Sequence, residues 1–210
     1  SGVPEGEGRI GLARSPSHPD IVYAIVEASN NRGGVYRSRD NGLNWSRMGG
    51  TFSSGSLYYS EIFVDPNNAD RVMAVDVQNR VSNDGGATWA NLGESGKHVD
   101  NHALWIDPDD SNHMLNGNDG GLYETFDGAQ TWRFFANLPL PQFYKIDVDM
   151  NAPFYNIYGG TQDNFSFGGP ARTRSIAGIR NSDWFVTNGG DGFQSRVDPT
   201  DPNTIYAESQ

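Results

Sequence analysis

The residues of this chain that could do chemistry are acids and imidazoles set beside tight turns. Asp100 and His102 stand two apart, with His98 just before them. Asp119 lies in Asn118-Asp119-Gly120-Gly121. Gln162, Asp163 and Asn164 follow a Gly-Gly pair, and Asp191 sits in Gly189-Gly190-Asp191-Gly192 with Trp184 upstream. Two carboxyl groups about 5 to 9.5 Å apart can hydrolyse a glycosidic bond. Asp100 and Asp191 are the candidates for that role. Several acids held close together would instead repel one another and favour a bound cation, for which oxygen ligands select Ca²⁺. With Trp184 beside them, the same groups would present a hydrogen-bonding and stacking surface to a glycan or a protein. Asx residues next to glycine are also ordinary turn formers, so each has a structural reading as well.

Several chemistries are excluded. There is no cysteine, hence no disulfide and no thiolate metal site. No serine nucleophile elbow is present. Neither a phosphate-binding glycine loop nor a His-Glu-x-x-His helix occurs, and no organic cofactor is expected. The formal net charge is −11, which repels nucleic acid and anionic membranes. It is compatible with cations, neutral glycans or a basic protein. No apolar run is long enough to span a membrane. No signal peptide is visible, but Ser1-Gly2-Val3-Pro4 reads as a processed start, so the expected location is extracellular or periplasmic.

The elements that must position these residues are short strands. The chain has 26 Gly and 11 Pro among 210 residues, and 12% aromatics, a turn-rich and strand-favouring composition. One domain, 1–210, is the first expectation. A repeat then dominates the sequence. Ser38-Arg39-Asp40-Asn41-Gly42-Leu43-Asn44-Trp45, Ser82-Asn83-Asp84-Gly85-Gly86-Ala87-Thr88-Trp89 and Thr125-Phe126-Asp127-Gly128-Ala129-Gln130-Thr131-Trp132 share the pattern Ser/Thr-x-Asp-x-Gly-x-Thr-Trp at spacings of 44 and 43. A second series, Ser15-Pro16, Asp65-Pro66, Asp107-Pro108, the looser Asp149-Met150 and Asp198-Pro199, recurs every 42 to 50 residues. That period is one four-stranded propeller blade. The expected fold is therefore an all-β propeller of four-stranded antiparallel blades, starting near 15, 65, 107, 149 and 198. About four and a half blades are present. Thr204-Ile205-Tyr206-Ala207 reads as strand two of the fifth, so a longer chain or other copies are expected to supply the rest.

A meander places alternate loops on opposite faces. The Asp-Pro turns and the repeat turns share one face, with His18 and His113 near it. The turn at Asp119 and the segments leading into each first strand share the other. His98, Asp100, His102, Asp119, Gln162, Asp163, Asn164 and Asp191 are expected on that second rim, with Trp184 flanking the mouth.

The three repeat turns resemble those of Asp-box (BNR) propellers, a group that includes sialidases, xyloglucanase-like glycoside hydrolases and sortilin-type receptors. The segment from His102 to Gln210 is similar to bacterial sortilin-like and BNR-repeat glycosyl-hydrolase-like proteins. Gly117-Asn118-Asp119-Gly120-Gly121-Leu122-Tyr123, Gly159-Gly160-Thr161-Gln162-Asp163-Asn164 and Gly189-Gly190-Asp191-Gly192-Phe193 carry that likeness. The resemblance implies that Asp40, Asp84 and Asp127 bind their own turns and that Trp45, Trp89 and Trp132 are largely buried between blades. It implies no reaction by itself. Arg172, Arg174 and Arg180 lie close in sequence but form no recognisable sialidase-type cluster. The expected function is an exported, non-enzymatic binding or scaffold module that recognises a glycan or protein through one face. A xyloglucanase-like hydrolase using rim carboxylates is the alternative.

Overall fold

The computed structural model describes residues 2, 7–50, 58–138 and 142–209. Of the start read as processed, Ser1, Val3 and Pro4 lie outside the described residues. The chain divides into two compact units, Ser1–Ala136 and Asn137–Gln210, and each is described by itself.

The first unit holds three antiparallel meanders. They are β1 (Glu7–Arg14), β2 (Val22–Ala28), β3 (Gly34–Ser38) and β4 (Ser46–Gly49); β5 (Glu61–Val64), β6 (Val72–Val75), β7 (Arg80–Ser82) and β8 (Ala90–Asn91); and β9 (Asn101–Ile106), β10 (Met114–Asn118), β11 (Gly121–Thr125) and β12 (Arg133–Phe134). The second unit holds a fourth meander, β13 (Phe143–Val148), β14 (Asn156–Thr161), β15 (Ser166–Pro170) and β16 (Phe185–Asn188). It also holds the pair β17 (Gly192–Asp198) and β18 (Asp201–Ser209). The only helical turn among the described residues is Asn181–Asp183. Strand alternation explains the packing. In β2, Tyr23 and Ile25 join Val35, Ile62, Val64, Val72 and Ala74 in a core between the first two sheets. Ala24 and Val26 face the other way, with Tyr36. Met73 and Val75 meet Leu104, Ile106 and Met114 between the second and third sheets. The chain is an all-β protein of β-propeller blades.

Each blade turns at a side chain that replaces backbone partners. After the first strand, Asp65, Asp107, Asp149 and Asp198 each accept the backbone N–H two residues on, at 2.8, 2.8, 3.0 and 2.8 Å. Ser15 does the same one residue later, from His18 at 3.2 Å. The Asx turn explains why Asp149-Met150 fits the series without proline. Between the third and fourth strands, Ser38, Ser82 and Thr125 donate to Asp40, Asp84 and Asp127 at 2.7, 2.8 and 2.8 Å. Those carboxylates then accept the backbone N–H of Asn44, Thr88 and Thr131. The two residues after each aspartate have positive φ (Asn41 and Gly42, Gly85 and Gly86, Gly128 and Ala129), which accounts for the glycines and asparagine there.

Trp89 and Trp132 seal seams between neighbouring sheets, whereas Trp45, expected between blades, packs on residues of its own sheet; all three are partly buried. Trp45, Trp89 and Trp132 pack against the edges of three separate cores. The ring edge stays at the surface because its N–H must reach an acceptor. Trp45 and Trp89 donate to Gly42 and Gly86 of their own turns at 2.8 and 2.9 Å. Trp132 donates across the seam to Gly93 of the preceding blade at 2.8 Å. Replacing Trp89 by alanine is expected to cost about 3 kcal/mol, the lower end for a core aromatic. Chemical denaturation measures it, and an unchanged midpoint would contradict the packing role.

Blade four departs from the pattern. Its third and fourth strands are joined by residues 171–184 in place of a repeat turn. Arg172, Arg174 and Arg180 all fall in this connection.

Candidate functional site

In the first unit, the segment leading into β9 is pinned on two sides. Asp100 has φ +59°. Its N–H donates to Val77 of the preceding blade at 3.0 Å, and its carbonyl accepts the N–H of Asp119 at 3.2 Å. Beneath it, the side chain of fully buried Asn101 donates to Asp76 and Val77 carbonyls, both at 3.0 Å. Asn101 also accepts from Lys97. Lys97 pairs with Glu94 at 2.5 Å and lies over the Trp132 ring. Burial pulls the Lys97 ammonium pKa down, and the hydrogen bond and charge of Glu94 oppose that.

On this floor stand three of the expected residues and one that was not expected. The Tyr59 hydroxyl donates to Asp100 Oδ1 at 2.8 Å. The Tyr59 ring stacks on His102, centroids 5.4 Å apart and 16° from parallel. His102 Nε2 lies 2.9 Å from Asp119 Oδ1. One carboxylate oxygen of Asp100 and one of Asp119 are within 4.8 Å of each other. Partial burial raises the Tyr59 phenol pKa well above its usual value, and the hydrogen bond to Asp100 and nearby carboxylate charges raise it further. Tyr59 therefore remains a donor at every physiological pH. Tyr58, beside it, is 70% exposed. Tyr59 could have been found from its position, because it too precedes a first strand; no motif marks it. His98 packs under the turn, where a Cβ on Gly120 would sit 2.5 Å from its own Cβ. Its Nδ1 lies 2.9 Å from the carbonyl of Val99.

In the second unit, Asp163 and Asp191 come together: the Asp163 N–H donates to Asp191 Oδ1 at 2.8 Å. Asn164 donates to the Gln162 carbonyl at 3.0 Å, and Gln162 accepts from Tyr144. Trp184 is a correction. It precedes β16 while Asp191 follows it, so the two lie at opposite ends of that strand. Its ring stacks on Phe143 at 6.2 Å and covers Gly169. Gly169 has no side chain to keep the indole away, which holds Trp184 at the far end.

The aspartates of the repeat turns are held ionised by their own turns. The Asn44 backbone and side chain hold Asp40 at a pKa of about 2. Thr88 does the same for Asp84 and Thr131 for Asp127, each to about 2.

A second cluster forms around His113. His113 Nδ1 lies 2.7 Å from Asp107 Oδ2, and Nε2 lies 3.1 Å from Glu124 Oε1. Its ring stacks on Phe126 at 4.5 Å, and Arg133 also pairs with Glu124. The hydrogen bond to Asp107, then that to Glu124, raises the imidazole pKa above 6.5. A raised folded-state pKa gives stability that is complete below the unfolded value and lost as pH rises through the folded one. Denaturation midpoints from about pH 5 to about 9 should fall on the alkaline side in the native chain and stay flatter in His113→Gln. Parallel profiles would contradict the clamp.

Four-stranded meanders packed face to face, with pinned rim loops, define a β-propeller. No protein-family model matches the chain, and no curated protein does. Among solved structures it is similar to the GH74 enzyme of Niastella koreensis, at 14% identity and a TM-score of 0.50, covering 95% of this chain and 33% of that one. It is also similar to the GH74 xyloglucanase of Xanthomonas campestris, at 16% identity and a TM-score of 0.51, covering 94% and 34%. The chain thus spans about a third of each of those proteins. Identity this low carries the fold and leaves the reaction open. No helix among the described residues is long and apolar enough to cross a membrane.

Proposed function

We propose that this chain is a non-enzymatic binding module of the Asp-box type, exported, which recognises a glycan through the rim formed by Tyr58, Tyr59, Asp100, His102 and Asp119. The observation that carries this reading is the Tyr59–His102 stack bracketed by two carboxylates. Ring faces beside oriented acceptors suit sugar C–H surfaces and hydroxyls. A protein ligand would use the same surface. Hydrolysis, the alternative, needs two carboxyl groups about 5 to 9.5 Å apart, whereas Asp100 and Asp119 offer oxygens within 4.8 Å of each other. It also needs an acid whose pKa is raised. Ca²⁺ at the rim carboxylates remains a separate proposal, tested by calorimetric titration with the metal alone.

The test is retention on a panel of insoluble polysaccharides. Tyr59→Ala should weaken retention about tenfold or more, the scale of losing a stacked ring and its hydrogen bond. Its melting temperature should stay near that of the native chain. Equal retention of native and variant protein would remove the rim from the function.

A further inference from the structure

Away from the rim, a cavity of about 360 Å³ opens between β3, β4 and the turn joining them. It is lined by Arg37, Arg39, Asp40, Asn44, Ser46 and Met48. The other repeats do not reproduce it. Where the first has Arg37, Arg39 and Ser46, the second has Val81, Asn83 and Ala90, and the third has Glu124, Phe126 and Arg133. Only the first copy places two guanidinium groups and a hydroxyl around one hollow.

Arg37 is only 6% exposed. Its guanidinium lies over the Tyr23 ring at 5.3 Å and pairs with Asp70 at 2.6 Å. Its Nε is buried and has no hydrogen-bond partner. Buried donors are almost always satisfied, and one left without an acceptor calls for a reason. Arg39 is exposed on the same lining and forms no ion pair among the described residues. Asp40 is the one carboxylate of the lining, and its oxygens are engaged by Ser38 and by the backbone and side chain of Asn44. At the hollow, the exposed Arg39 is thus a guanidinium without a paired carboxylate among the described residues, beside Arg37, whose pair with Asp70 leaves its buried Nε unused.

We infer that this cavity is a binding site for a carboxylate group. The planar guanidinium fork matches a carboxylate, and Met48 provides an apolar wall for the carbon behind it. The negative charges of Asp40 and Asp70 nearby disfavour a dianion such as phosphate relative to a monoanion. The carboxylate can come from a free organic acid or from a uronic acid residue. This site is independent of the rim and stands whether or not the rim binds a glycan.

The test is a titration of the intact chain, by calorimetry and by amide chemical shifts, with acetate, glucuronate, glucose and inorganic phosphate. Acetate and glucuronate should shift the amides of residues 37–48, and glucose should not. Binding should weaken with added salt. Arg39→Gln should weaken it about tenfold or more, the scale of a lost charged hydrogen bond. Arg39 is exposed, so that variant keeps its melting temperature even if Arg37→Gln fails to fold. Tighter binding of glucuronate than of acetate would place the carboxylate on a glycan, and equal binding would place it on a free acid. The inference is overturned if neither carboxylate shifts these amides at tens of millimolar, if phosphate binds more tightly, or if Arg39→Gln binds as the native chain does.

Discussion

Gly93→Ala is expected to destabilise the first unit by about 3 kcal/mol or more, the upper range for overpacking a tight contact. A Cβ at residue 93 would lie 2.1 Å from the carbonyl oxygen of Ala129 and 3.2 Å from its carbon. Both atoms belong to backbone in the next blade's turn, so no side-chain rotation relieves the clash. The Gly93 carbonyl also accepts the Trp132 indole, so opening the seam loses that bond as well. Gly49 meets Ala87 of the second turn in the same way, at 2.8 Å. Each of these glycines stands four residues after a repeat tryptophan, Trp45 or Trp89. Gly189→Ala serves as the control, because a Cβ there meets nothing within 4 Å and the change should stay within about 0.5 kcal/mol. Urea denaturation of the three proteins decides the matter, and equal midpoints for Gly93→Ala and the native chain would refute the seam.

Asp65→Ala should be comparably severe, about 3 to 5 kcal/mol, because it leaves a partner charge without its counterion. Asp65 is 1% exposed. It accepts from Ser111 of the next blade at 2.7 Å, from the Asn67 backbone at 2.8 Å and from Arg71 at 2.8 Å. Arg71 and Asn67 then donate to the Ser111 and Pro108 carbonyls. Burial alone would raise the Asp65 pKa, but the Ser111 and Asn67 hydrogen bonds and the Arg71 charge outweigh it and hold it low. A lowered folded-state pKa gives stability that is present above the unfolded value and lost as pH falls through the folded one. Asp65→Asn should therefore lose part of the stability at neutral pH and show a shallower acid limb. A loss under about 1 kcal/mol for Asp65→Ala would mean that the charge is not structural.

The features legible in the sequence are those where one short segment contains both the donor and the acceptor. Asp84 binds Ser82 and Thr88 within seven residues, so the repeat turn shows as a pattern and its spacing gives the blade. The Asx turns at Asp65, Asp107 and Asp198 are equally local. What escaped was formed by register or by contact across a seam. Tyr59 meets Asp100 across 41 residues. His113 meets Glu124 only because β10 and β11 pair antiparallel. Gly93 carried a regular offset from Trp89, yet its reason, the carbonyl of Ala129, lies in another blade. Trp184 was misplaced because nearness to Asp191 in sequence hides a whole strand between them.

Binding without turnover at the rim is tested most directly by one experiment on native, Tyr59→Ala and Asp100→Asn protein. Each is incubated with soluble xyloglucan and other neutral polysaccharides. Retardation in affinity electrophoresis and release of reducing ends are then measured in the same samples. The native chain should be retarded by at least one polysaccharide, Tyr59→Ala should lose the retardation, and no protein should release reducing ends. Reducing-end release by the native chain that Asp100→Asn abolishes would contradict this and assign hydrolysis to the rim instead.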